Sequence, residues 1–278
     1  MFILNGQAHA AADPAALLLN RSFRFGDGLF ETIRVYAGRL LFVQAHLDRL
    51  VAGMDTLGYT YAPDWRVRIA GELRRILHLN QIDQHGRVRL HVYRAGPGAY
   101  APVEHDACYL VEAFALKSDY FQSPPIQLTV YEQAGVMPSV FSAFKTASAL
   151  PYVMAARYAQ QQGCDDALLM HDRHPAEASS SNLFYVHQRQ LYTPSLDTGC
   201  LAGIMRAQVI QLAGRLQIPV HEKKFRLRDL RQADEVFLTN TVRGIQPVST
   251  LQATTYMAPG PLTAFLRQCM HQMINEST

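Results

Sequence analysis

Residues 144–184 leave the chain little freedom in how it folds. Lys145 closes an apolar run, 136–144, that is broken only by Pro138 and two serines. A helical segment follows over 151–163, then the strand-like Ala167-Leu168-Leu169-Met170. A polar turn, His171-Asp172-Arg173-His174-Pro175, leads to Glu177 on an extended segment and then to Ser179-Ser180-Ser181-Asn182. An apolar strand beside a helix can be buried only by layering one on the other.

The same alternation runs through both halves. Residues 1–6 read as a short strand ending in an Asn-Gly turn, and 20–28 as a polar loop punctuated by Gly26 and Gly28. Residues 29–36 alternate as a strand, turn at Ala37-Gly38-Arg39, and return over 40–42. Residues 44–57 carry Leu47, Leu50, Val51, Met54 and Leu57 on one helical stripe, and 64–79 carry Trp65, Ile69, Leu73, Ile76 and Leu77 on another. From Gly86 the chain alternates strictly. Val88, Leu90 and Val92 point one way; Arg87, Arg89, His91 and Tyr93 point the other. That polar face reads either as a surface or as the floor of an anion site. Residues 107–116 form another strand, and 117–125, ending in Pro-Pro, suit a linker. Further strands are expected over 126–131, 182–187, 190–192 and 235–239. Helices are expected from Gly203 to about 216 and over 261–274. The pattern is α/β, or mixed α+β, with a smaller domain over 1–120 and a larger, cofactor-binding one over 121–278.

Composition narrows the function. Of 278 residues, 49% are apolar and 18% charged, and the net charge is only +3. The basic residues are scattered, so nucleic acid is not an expected partner. The densest run, Lys223-Lys224-Phe225-Arg226-Leu227-Arg228, reads as a solvated face. No segment has the apolar length of a membrane span, and the N-terminus lacks the charged start and apolar core of a signal peptide. Four scattered cysteines without a CxxC point to a reducing cytoplasm rather than to disulfides or zinc. His171-Asp172-Arg173-His174 reads as an exposed turn rather than a metal site. Gly26-Asp27-Gly28 and Gly96-Pro97-Gly98 do not make a dinucleotide fingerprint.

The chemistry lies in Lys145 and Glu177. A lysine desolvated by its apolar approach has a lowered pKa and a nucleophilic amine. Pyridoxal 5'-phosphate requires such an amine for its Schiff base, and requires a carboxylate to keep its ring nitrogen protonated. On its own such a pair is more often two surface residues. The phosphate would need donors, and two places offer them: the helix start at Gly203-Ile204-Met205 and the strand end Thr239-Asn240-Thr241. A nearby arginine such as Arg49 would complete the cup.

Taken together, several stretches resemble the class IV aminotransferases, the fold-type IV pyridoxal phosphate enzymes. They are FGDGLFETIRV (25–35), HLDRL (46–50), FKTAS (144–148), EASSSNLF (177–184), TPSLDTGCLAGIMR (193–206) and ADEVFLTNTVRGIQPV (233–248), in the family's order across nearly the whole chain. The resemblance implies two α/β domains with pyridoxal phosphate between them, in a homodimer. It implies Lys145 as the lysine that carries the cofactor and Glu177 as the partner of the ring nitrogen. Arg49, the backbone at Ile204 and Met205, and Thr241 would hold the phosphate, with Ser181 and Asn182 beside the cofactor. Members often carry asparagine three residues after the lysine, where this chain has Ser148. Some place an aromatic hydroxyl near the cofactor, for which Tyr152 is the candidate.

The family divides by reaction. The opening MFILNG, the short length and TPSLDTGCLAGIMR look more like 4-amino-4-deoxychorismate lyases, which expel pyruvate to leave 4-aminobenzoate. FETIRV is also at home in transaminases of branched-chain or D-amino acids. A third reading is a silent pyridoxal phosphate-binding homologue. The substrate is expected to be a small amine bearing a carboxylate, met by Arg34, Arg89 or Arg94.

Overall fold

The computed structural model describes residues 1–10, 20–117 and 121–276. The chain divides into two compact units, Met1–Ser118 with Phe144–Ala149, and Asp119–Ala143 with Leu150–Thr278. The lysine segment therefore belongs with the first unit, not with the residues that flank it in sequence. Of the linker expected over 117–125, residues 118–120 lie outside the described residues.

The first unit opens with a hairpin, β1 (Phe2–Leu4) and β2 (Gln7–His9). Its turn residues Asn5 and Gly6 have φ of 47° and 86°, as a two-residue turn between right-twisted strands requires. The segment expected as a loop contains a short helix, α1 (Arg21–Phe25). The Asn20 side chain accepts from Phe23 N–H at its start, and Gly26, at φ 70°, ends it. Five residues are too few to show a helical period, so only the caps announce it. Then follow β3 (Gly28–Tyr36), β4 (Arg39–Leu40), α2 (Val43–Thr56), α3 (Trp65–Leu79), β5 (Gly86–Arg94) and β6 (Ala107–Ala115). The strands make one antiparallel sheet in the order β2-β1-β6-β5-β3-β4. Val88, Leu90 and Val92 of β5 are fully buried with Leu29, Ile33 and Val35 of β3. The Leu47–Leu50–Met54 stripe of α2 and the Ile69–Leu73–Ile76 stripe of α3 close the same core.

The second unit contains β7 (Ile126–Tyr131), α4 (Leu150–Gln161), β8 (Asp166–His171), β9 (His174–Ala178), β10 (Asn182–His187), β11 (Gln190–Thr193), α5 (Ile204–Arg215) and β12 (Val220–Glu222). It ends with α6 (Leu227–Arg231), β13 (Glu235–Asn240), β14 (Gly244–Leu251), β15 (Thr254–Thr255) and α7 (Pro261–Glu276). The strand order is β12-β11-β10-β13-β14-β7-β8-β9, and β9 pairs back onto β10 through Glu177 and Asn182. Six strands thus close into a ring whose last link is the glutamate singled out in the sequence. Two pairs in the ring, β14–β7 and β7–β8, are parallel. Leu128, Val130, Leu168, Leu183, Val236, Leu238 and Val248 fill its core.

Several of these elements escape a sequence reading. The turn expected over 171–175 is only Asp172-Arg173, with φ of 44° and 63°, so β9 begins at His174 and puts Glu177 on a true strand. β14 carries Pro247, which breaks the expected donor pattern and hides the strand. At the N-terminus of α7, both oxygens of the buried Glu235 on β13 accept first-turn amides, from Leu262 at 2.8 Å and Thr263 at 2.7 Å.

Candidate active site

Lys145 is strapped to the start of β3. Phe30 N–H donates to the Lys145 carbonyl at 2.8 Å, Ala147 N–H donates to the Gly28 carbonyl at 2.8 Å, and Thr146 bridges Leu29. The preceding Phe144 packs on the first core, where Gly53 of α2 gives it room: a Cβ there would lie 3.1 Å from Phe144 Cγ. The lysine side chain is half-buried, and its Nζ lies 4.7 Å from the centre of the Phe30 ring. The Arg89 guanidinium carbon lies 3.9 Å from the same centre. The aromatic face attracts both cations.

Beside this strap lies a buried ionic cluster. Glu31 of β3 is 1% exposed. It accepts from Arg49 Nε at 2.8 Å and Nη2 at 2.6 Å, and from His46 Nδ1 at 2.6 Å. Burial by itself would raise the Glu31 pKa, but the charges of Arg49 and His46 and their hydrogen bonds outweigh it and hold it at about 2. His46 and Arg49 stand three residues apart on one face of α2 and meet the carboxylate together. Glu31 engages one edge of the Arg49 guanidinium and so sets its plane.

The second unit presents the carboxylate. Glu177 is 3% exposed. Its Oε1 accepts from the Tyr152 hydroxyl at 2.8 Å, and its Oε2 accepts from Leu201 N–H at 3.1 Å. Asn182 Nδ2 donates to the Leu201 carbonyl at 2.8 Å and so holds that amide in place. Ser181 Oγ accepts from Asn240 Nδ2 at 2.8 Å, and Asn240 Oδ1 accepts the amides of Val242 and Arg243. Ser181 thereby steadies the turn that carries Thr241. Gly203 caps α5 without a side chain, because a Cβ there would sit 1.8 Å from Asn182 Oδ1. Ile204 and Met205 open the helix, where amides have no acceptor inside it. Arg206, next in line, ties that first turn to the Pro194 carbonyl at 2.9 Å and to Glu222 at 2.6 Å. The Thr239 hydroxyl is buried without a hydrogen-bond partner.

A family model of the class IV amino-transferases matches residues 28–251. The chain belongs to the class IV aminotransferases. These are pyridoxal 5'-phosphate enzymes, so the chain is an enzyme. An aminodeoxychorismate lyase of Vibrio harveyi is 29% identical over 276 residues, 96% of this chain and 97% of its own length. A D-alanine aminotransferase of Bacillus licheniformis is 28% identical over 286 residues, 99% of this chain and 98% of its own. The branched-chain amino acid aminotransferase of Thermobaculum terrenum, solved in its pyridoxal phosphate form, shares the fold. It superimposes with a TM-score of 0.88 at 20% identity over 100% of this chain and 94% of that one.

The residues present fit the family's cofactor. A buried carboxylate fed by neutral donors suits a protonated ring nitrogen, and a helix start without a side-chain cap, together with the partnerless Thr239 hydroxyl, suits a phosphate. The three arginines expected to meet substrate have different settings in this class IV enzyme. Arg89 is the one shared with the lysine, through Phe30. Arg34 is 0% exposed on β3, in register with Arg87 of β5. Arg94 donates to Asp27 and to the Leu57 carbonyl and lies 4.0 Å over the Tyr59 ring. Asp27 also receives Arg21 Nε at 3.0 Å. The sequence reading missed Glu31 and His46. The available signal was the (i, i+3) spacing of His46 and Arg49 beside an acid on a largely buried strand.

Proposed function

We propose that this enzyme is a 4-amino-4-deoxychorismate lyase, acting on a cyclohexadiene amine with carboxylates and releasing pyruvate and 4-aminobenzoate. The observation that carries the choice is the likeness to the Vibrio harveyi lyase across 96% of this chain and 97% of that protein. The opening Met1–Gly6 and the segment 193–206 support it. When bound, pyridoxal phosphate supplies an electron sink for charge left on the carbon that bears the substrate amine.

This chain's residues do the rest. Lys145 carries the cofactor, and its released amine takes the proton from the amine-bearing carbon. Glu177 keeps a proton at the ring nitrogen. Arg49, the amides of Ile204 and Met205, and the Thr241 hydroxyl bind the phosphate, with Ser181 and Asn182 bracing the groups around it. Arg34, Arg89 and Arg94 are the candidates for the substrate carboxylate. Loss of pyruvate makes the substrate ring aromatic, which drives the reaction forward. A homodimer in the cytoplasm completes the reading.

Transamination of D- or branched-chain amino acids with 2-oxoglutarate is the second reading. It is favoured by the 28% identity to the Bacillus licheniformis D-alanine aminotransferase over 99% of this chain. The two separate in one experiment. Purified protein with pyridoxal phosphate should show a yellow band that Lys145→Ala loses. Aminodeoxychorismate should then yield 4-aminobenzoate and pyruvate, with no bleaching by single amino acids. Bleaching by D-alanine or a branched-chain amino acid would move transamination ahead. A band with no turnover of either kind would mark a silent homologue, and no band at all would overturn the reading.

A further inference from the structure

Tyr152 is the candidate for the aromatic hydroxyl that some class IV members place near the cofactor. It lies in the first turn of α4, and its hydroxyl reaches Glu177 Oε1 at 2.8 Å. The residue packs against the buried cluster that contains Tyr131, Val136, Ala155 and Cys200. With Leu201 N–H on Oε2 at 3.1 Å, each oxygen of the buried carboxylate has a donor. Both donors favour the ionised form, since a neutral acid would turn one of its oxygens into a competing donor.

We propose that Tyr152 is a positioning residue that keeps Glu177 ionised, and thereby keeps the proton on the cofactor's ring nitrogen rather than on the glutamate. The inference rests on the reading of Glu177 as that nitrogen's partner. The groups around the carboxylate agree with it. Tyr152 from α4 and Cys200 from the segment ahead of α5 face Glu177. Burial raises both of their pKa values, that of Cys200 to about 11, and the Glu177 charge raises them further, so both stay protonated. Asn182 of β10 and Leu169 of β8, in register with Glu177, are uncharged. Asp166 of β8 spends its carboxylate on the Ala167 and Ser179 amides. Asp197 is exposed and paired with Lys224. His174, at the start of β9, lies three residues from Glu177 and has its Nδ1 buried without a partner. The Tyr152 hydroxyl is therefore a direct control on the proton affinity of Glu177.

The test is Tyr152→Phe, which keeps the ring and removes one donor. The control is Tyr158→Phe on the same helix, where the Tyr158 ring lies tilted 5.4 Å from that of Tyr131. In cofactor-free protein, the Glu177 carboxyl stretch is assigned by its absence in Glu177→Gln and followed by infrared against pH. Its midpoint should rise by about one unit in Tyr152→Phe, a tenfold gain in proton affinity, and stay in place in Tyr158→Phe. With pyridoxal phosphate added, the acid limb of cofactor retention should move up by the same amount. Unmoved midpoints in both measurements, with only a lower melting temperature, would overturn the proposal and leave Tyr152 as a tie between α4 and β9. A wild type that takes up no pyridoxal phosphate would overturn the site reading itself; the infrared midpoint would then decide the coupling alone.

Discussion

At the scale of single residues, charge is spent before it is exposed. Glu31, His46 and Arg49 form a buried network, and such a network loses more when one member is removed than it adds when whole. Glu31→Gln should cost about 3 kcal/mol at neutral pH, because it leaves the Arg49 charge with a neutral partner in a dry site. The pH dependence has a definite sign. The folded pKa of Glu31, about 2, lies below its ordinary 4.5. Its contribution is therefore complete above 4.5 and is lost as pH falls from there through 2. Urea unfolding of both proteins across pH 2–7 checks this: the gap should be constant above pH 5 and narrow steadily below 4.5. A gap independent of pH would mean that Glu31 acts by packing alone. Lys145 and Glu177 could be singled out at this scale through the stretches that carry them, FKTAS and EASSSNLF, which resemble the family's. Glu31 could not, because its charge is explained only by residues of another element.

At the scale of elements, the site depends on where helices and strands begin. α5 starts at Ile204 because Gly203 lets Asn182 come within contact of the backbone. Gly203→Ala would drive a methyl into Asn182 Oδ1, break the Asn182–Leu201 hydrogen bond and displace the amide that feeds Glu177. The variant should lose at least tenfold in pyridoxal phosphate affinity by spectroscopic titration, with melting lowered by several degrees, because overpacking of this kind typically costs about 1–3 kcal/mol. Unchanged affinity would show that the helix start takes no part in holding the cofactor. The long strands and helices of the first unit could be read from periodicity, since Val88, Leu90 and Val92 alternate and α2 and α3 repeat every three or four residues. α1, β12, α6 and β14 could not. They are too short, or, like β14 with Pro247, they break the local rule that would reveal them.

At the scale of the whole molecule, the chain is two compact units and a class IV aminotransferase. The proposed homodimer predicts twice the mass of the 31.2 kDa chain in sedimentation equilibrium; a monomer that turns over substrate would refute that assembly. The order of apolar and polar residues by itself determined that strands and helices alternate, and the motifs from FGDGLFETIRV to ADEVFLTNTVRGIQPV determined which family the chain resembles. Periodicity and composition are local, and burial follows them directly. Only the tertiary structure decided that the lysine segment leaves its neighbours in sequence to join β3, that Glu177 closes a ring of strands, and that Tyr152 turns to Glu177. It also decided that Arg94 meets Asp27 while Arg89 shares a ring with Lys145. Those outcomes depend on which buried donor finds which acceptor, and partners far apart in sequence meet only when the chain has closed around them.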